Sequence, residues 1–329
     1  MNWRVTSLIL LAFVGGVLVL SAIATRPLSA PEHEIYVNGN VLTMDTAGTV
    51  HEAVSLREGL IESVGSSEEM LALAGDNTVV VDLRGRSVLP GFIDAHGHFP
   101  GSGQTVFSAD LNSPPIGEVT NLSQLLERLT RLAQARADGW IIGHGYDDTL
   151  LAERRHPNRD DLDRVSSDRP VAIIHVSGHL AVVNSAALAI LGIDAESLDP
   201  EGGVIVREPD SDGGRRPNGV LEETAARAVW EYTLDLSAMD ALRMTTQAAE
   251  EYLAAGVTTA SAGGMPSPVA TLLGLLSQLN QFPQRVALFP LFEEVGEQLL
   301  DGSVALDSFA RAKVSAPRVK IIADGSIQG

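Results

Sequence analysis

The pattern of apolar and polar positions changes character twice along the chain. Residues 5–25 carry no formal charge, lie between Arg4 and Arg26, and include an unbroken apolar run over 8–14. From 33 to 86 the apolar runs shorten and end in turn residues. Ile35-Tyr36-Val37, the turn Asn38-Gly39-Asn40 and Val41-Leu42-Thr43-Met44 predict a hairpin, because Asn-Gly favours the tight turn joining two antiparallel strands. Runs over 53–56, 60–64 and 78–83 predict further strands, with a brief helix over 67–73. Residues 33–86 thus read as a small β-rich domain.

Beyond Val88 single apolar strands alternate with longer helical periods. Leu122, Leu125, Leu126, Leu129, Leu132 and Ala133 recur at helical spacing and predict an amphipathic helix over 121–138. A strand over 171–176 follows Pro170, and a helix over 184–191 precedes Gly192, a residue suited to ending it. The Gly-, Pro- and Asp-rich stretch 200–219 reads as a loop or hairpin. Helices are expected over 221–232, 237–255, 269–279 and 304–314, and strands over 257–260, 285–291 and 318–323. Such alternation is the mark of a parallel sheet built from βαβ units.

Composition narrows the chemistry. The 329 residues hold 23 Lys and Arg against 42 Asp and Glu, a net charge of −19, so a nucleic-acid partner is not expected. With no Cys, thiolate metal sites, disulfides and cysteine nucleophiles are excluded. The amino-terminal pattern, a basic start, an apolar run and the small-x-small triplet Ala22-Ile23-Ala24, fits a signal peptide. Its length equally suits an uncleaved membrane anchor. The expectation for 1–26 is therefore export to the periplasm or another extracytoplasmic space, with cleavage and anchoring both open.

Val88-Leu89-Pro90-Gly91-Phe92-Ile93-Asp94-Ala95-His96-Gly97-His98 is the most informative stretch. Two histidines one residue apart at the end of a strand project to the same side, so both imidazoles can reach one cation. A His-Gly-His turn with hydrogen-bonded rings is the alternative. Lys320 lies in a β-branched segment expected to be buried, where an ammonium needs a partner or a modified form.

The run from Leu89 to His98 resembles the first-strand signature of the amidohydrolase superfamily. Gly139-Trp140-Ile141-Ile142-Gly143-His144-Gly145-Tyr146-Asp147-Asp148, Ser177-Gly178-His179, Val183-Asn184-Ser185, Gly219-Val220-Leu221-Glu222-Glu223 and Val319-Lys320-Ile321-Ile322-Ala323-Asp324-Gly325-Ser326 resemble its amidohydrolase 3 branch, which includes N-substituted formamide deformylases. The resemblance implies an α/β fold, a (β/α)8 metal-dependent hydrolase barrel behind the small β domain, with about four of its eight strands present over 87–329 and a long insertion at about 100–217. It implies one or two divalent ions, Zn first among them, held by His96 and His98, with Lys320 as a carboxylated bridging ligand. His179 follows Gly178 in a motif the family places near the substrate, and Asp147 and Glu223 match family acidic positions; His175 at the end of an apolar strand, His144 between two glycines and Asp324 are further substrate-binding candidates, with satisfied structural histidines and surface or capping carboxylates as the competing readings. His51 and His156 read as surface residues. The general-base Asp is expected beyond Gly329, so the chain reads as an incomplete enzyme.

The implied reaction is hydrolysis of a non-peptide carbon–nitrogen bond in a small amide-type substrate. A non-catalytic half barrel and a related metal-dependent deaminase remain as alternatives. Nothing in the sequence bears on oligomeric state.

Overall fold

The computed structural model describes residues 31–322, apart from 212, 234 and 235, so the apolar amino-terminal segment and Asp324 lie outside the described residues. By contacts the chain divides into two compact units, Met1–Phe99 with Ala249–Lys320 and Pro100–Ala248 with Ile321–Gly329.

The first unit opens with β1 (His33–Val37), β2 (Asn40–Leu42), β3 (Val50–His51), β4 (Ala53–Arg57), β5 (Leu60–Gly65), α1 (Ser67–Leu71), β6 (Val79–Asp82) and β7 (Ser87–Val88). β1 alternates buried and half-buried residues, and Ile35 and Val37 pack with Ala53 and with Met70 from α1. The expected hairpin does not form. β1 lies between β4 and β6, whereas β2 pairs with β3 and β7 in a separate sheet. Asn38 does turn the chain, at φ 57°, but Gly39 N–H donates to Glu52 O and Asn40 N–H to Arg86 O, so the turn delivers β2 to distant partners.

The same unit holds a four-stranded parallel sheet in the order β17-β16-β15-β8, made from β8 (Phe92–Ile93), β15 (Val257–Met265), β16 (Arg285–Pro290) and β17 (Val314–Ser315). Neighbours in this sheet are consecutive in the unit, with α7 (Ser267–Gln278) and α8 (Phe292–Leu300) as crossovers. Two expectations fail here. The helix expected over 304–314 is α8 instead; Glu293 and Glu294 sit in its first turn, where carboxylates favour a helix start, and Val295 is buried. The strand expected over 318–323 is replaced by β17, since Pro317 has no N–H for a ladder and only Lys320 forms a parallel bridge, to Leu291. Lys320 is half-buried, while Ile321 and Ile322 are exposed, so the buried strand argued for this lysine is absent.

The second unit centres on a six-stranded sheet in the order β13-β14-β12-β11-β10-β9. Its strands are β9 (Ala109–Asp110), β10 (Ile141–Tyr146), β11 (Val171–His175), β12 (Leu180–Val183), β13 (Gly203–Pro209) and β14 (Arg215–Glu223). β9, β10 and β11 run parallel, and the remaining pairs are antiparallel. Every residue of β11 is buried because the sheet is covered on both faces. Val171 and Ile173 pack under α2 (Leu122–Ala135), and Ala172 and Ile174 pack with residues of α4 (Ser185–Leu191) and α5 (Thr224–Thr233). The 200–219 stretch is a hairpin, β13 with β14. It extends to Glu223, so the helix expected from Leu221 starts at Thr224: Leu221 pairs with both Ala181 and Ile205 and is fully buried. No helix among the described residues is long and apolar enough to cross a membrane.

Candidate functional site

In the first unit β8 stops at Ile93, so His96 and His98 sit on a loop beyond the strand and the two-residue strand period does not explain their pairing. Asp94 builds the loop. Its N–H donates to Thr259 O at 2.9 Å, Oδ1 accepts from His96 N–H at 3.2 Å and Oδ2 from Ser261 N–H at 3.2 Å. Tyr252 bonds to the same carboxylate, and its hydroxyl pKa is pushed up by burial first and by Asp94 second. Gly97 makes this closure possible, because a Cβ there would lie 2.1 Å from Asp94 Oδ2 and 2.9 Å from the Tyr252 hydroxyl.

The two rings lie 5.5 Å apart at 82°, both exposed. His98 Nδ1 is 2.8 Å from Gly263 O. A carbonyl only accepts, so Nδ1 carries the proton and Nε2 presents a lone pair, the state and support usual for a metal-binding histidine. The donor set therefore fits a divalent cation. Lys320 follows β17, the opposite outer strand of this sheet.

The second unit gathers other predicted residues into two groups. Gly145, at φ +89°, breaks the β10 ladder so that Tyr146 comes opposite His175. Asp147 and Asp148 follow at the end of β10, and one ligand atom from each of them and one from His175 lie within 4.8 Å of one another. Asp147 Oδ1 accepts from Thr149 N–H at 2.9 Å and Thr149 Oγ1 at 2.6 Å, a capping turn. Asp148 Oδ1 lies 3.3 Å from His175 Nε2 and 3.7 Å from His156 Nδ1. Burial lowers the His175 pKa, with the Asp148 charge opposing, and raises that of Tyr146, whose hydroxyl is 3.1 Å from His156 Nδ1. Sequence reasoning missed Asp148 as a site residue and left His156 on the surface, although the Tyr-Asp-Asp motif was in view; proximity across strands carries no local signal.

The other group is His179 with Glu223, Nδ1 to Oε2 at 2.9 Å. Glu223 N–H donates to His179 O, and Glu223 adopts φ 51°, a left-handed conformation costly for a branchless but non-glycine residue. With Nδ1 engaged by a carboxylate, His179 Nε2 is the lone-pair side of the ring. His144 stands apart on β10; burial depresses its pKa to about 4, and its Nδ1 has no hydrogen-bond partner.

A sequence profile described as the amidohydrolase family matches residues 79–329. The chain belongs to this amidohydrolase family. It is 32% identical over 226 residues to the N-substituted formamide deformylase of Arthrobacter pascens, covering 68% of this chain and 41% of that enzyme. It is 29% identical over 236 residues to the protein LONG AFTER FAR-RED 3 of Arabidopsis thaliana, covering 71% and 39%. The chain thus spans about two-fifths of the length of these relatives. A solved structure described as an uncharacterized metal-dependent hydrolase from Pyrococcus horikoshii OT3 superposes with a TM-score of 0.64 at 22% identity, over 89% of this chain and 55% of that one. That similarity is one of fold. Within the amidohydrolase family, the resemblance noted for the amidohydrolase 3 branch holds, and the described residues form a mixed α/β structure.

Proposed function

We propose that this amidohydrolase carries the His-x-His part of the metal site of a hydrolase acting on a non-peptide carbon–nitrogen bond, with a small amide-type substrate. One observation supports this most: His98 is held through Nδ1 on Gly263 O with Nε2 left free, beside His96 on a loop fixed by Asp94. The sheet order β8-β15-β16-β17, parallel and sequential, supports reading this part as about four strands of a (β/α)8 barrel with its site at the strand carboxyl ends. The segment 5–25 supports an extracytoplasmic location.

His96 and His98 would hold a divalent ion, Zn or a similar metal, which would supply Lewis-acid polarisation of a carbonyl and acidification of water to a pKa of ~7. The chain's own residues orient the ligands. Asp94 draws the His96 backbone in through its N–H, and the Gly263 carbonyl fixes the tautomer and plane of His98. Lys320 is assigned as a further ligand in its carboxylated form. Within the second unit, His179, oriented by Glu223, offers an Nε2 lone pair that can accept a hydrogen bond from an N–H donor.

The test measures metal content by mass spectrometry in the chain and in His96→Ala and His98→Ala variants. Each substitution is expected to remove the equivalent of metal held by this pair, and any carbon–nitrogen hydrolase activity with it. Unchanged stoichiometry in both variants overturns the assignment. For Lys320, an intact-mass increase matching a carbamate is expected; an unmodified mass in metal-loaded protein removes Lys320 from the site.

A further inference from the structure

The Asp147, Asp148 and His175 group has no part in the reaction above. We propose that it is a separate divalent-cation site belonging to the second unit. Three observations point the same way.

The first is the state of His175. Its side chain is 4% exposed, and its buried Nε2 lies 3.3 Å from Asp148 Oδ1 without the alignment of a full hydrogen bond. A buried ring nitrogen so loosely held by the carboxylate beside it is placed to take a cation shared with that carboxylate.

The second is the balance of charge. Asp147 and Asp148 are adjacent in sequence and converge on one point, yet among the described residues neither has a lysine or arginine in ion-pair range; the neighbours of Asp148 are His175 and His156. Asp147 Oδ1 is taken up by Thr149, which leaves Oδ2 for a ligand. A cation shared between the two carboxylates supplies the missing positive charge.

The third is placement. The group stands at the carboxyl ends of β10 and β11, neighbouring parallel strands, where ligands of α/β sheets collect. Two carboxylate oxygens and one imidazole nitrogen suit Zn2+, Mn2+ or Co2+, with water completing the shell.

The tautomer makes the proposal sharper. Ser177 N–H approaches His175 Nδ1 at 3.1 Å, so in the cation-free protein the ring proton is on Nε2. A cation needs the Nε2 lone pair. The proton must therefore leave Nε2 and the ring be protonated at Nδ1, where Ser177 Oγ, 2.8 Å away, accepts it and the Ser177 N–H gives up its hydrogen bond to the ring. Atoms and charge balance: one proton leaves one ring nitrogen, one joins the other, and the cation takes the vacated pair.

The experiment uses the full chain with His96→Ala and His98→Ala combined, stripped with chelator and titrated with Zn2+ alone, then with Mn2+ alone. One equivalent is expected to bind in this background. Adding Asp148→Asn, which keeps the shape of the side chain, is expected to weaken binding by at least about tenfold, and His175→Gln to do the same. On Zn2+ addition the His175 Nδ1–H is expected to appear in 15N-resolved spectra. Absence of any equivalent in the His96/His98 background overturns the proposal, as does an affinity unmoved by both Asp148→Asn and His175→Gln. The two readings fail separately: loss of metal in His96→Ala and His98→Ala bears on the reaction centre, and loss in Asp148→Asn on this site.

Discussion

His98 shows how one contact settles the chemistry of a side chain. The sequence supplies two histidines flanking a glycine, but only the Gly263 carbonyl 165 residues away sets which ring nitrogen is free. Gly97 is the sharper test of that arrangement. Gly97→Ala places a methyl 2.1 Å from Asp94 Oδ2, so the variant is expected to lose bound metal about as fully as His98→Ala while its far-UV spectrum is unchanged. His144 gives a pH prediction. Its folded pKa of about 4 lies below the ordinary 6.5, so between those values the unfolded chain binds the proton and the native chain does not. Stability from this group is therefore complete above about pH 6.5 and is lost as pH falls toward 4. Going from pH 7 to 5 should remove roughly 2 kcal/mol through this residue, a loss that urea unfolding of His144→Gln should not show.

Elements were legible where their own residues carry both pattern and stop signal. α2 has a leucine stripe and Asn121 as its cap, with the Oδ1 accepting from Gln124 N–H, and Leu125 and Leu129 are fully buried as the spacing requires. Leu129→Ala is expected to cost ~2–5 kcal/mol in a denaturant titration. Asn184 was legible as a helix start but not as the clasp it is. Its Oδ1 accepts from Val171 N–H and Ala187 N–H, and its Nδ2 donates to Ser166 O and Arg169 O, so one buried side chain ties β11, α4 and the preceding turn. Asn184→Ala should destabilise by several kcal/mol, more than a helix cap alone, because four backbone groups lose their partner. The elements misread differ in cause: at the Asn38-Gly39 turn distant segments take the backbone groups a hairpin would use, whereas Pro317 withholds an N–H from the last expected strand.

For the whole molecule, the βαβ rhythm predicted an α/β protein, and a mixed α/β structure is what forms. The outer strand β8 presents Phe92, 54% exposed, and Ile93, 75% exposed, beside an open row of backbone groups. Edges of this kind pair with other chains unless a charge or cover prevents it. The chain is expected to self-associate with rising concentration in sedimentation velocity, and Ile93→Lys to reduce that association; equal behaviour of the two would show that β8 is not the contact.

The sequence alone determined which residue types were available: no thiolates, a His-x-His pair, a Tyr-Asp-Asp turn, helices with their own caps, and the run of motifs that marks the family. Those features depend on near neighbours in the chain, whose geometry the backbone periods dictate. Tertiary structure decided the rest. It chose the strand partners of β2, brought Asp148 to His175 and Glu223 to His179, and assigned the free nitrogen of His98, because each depends on contacts between segments separated by tens of residues or more.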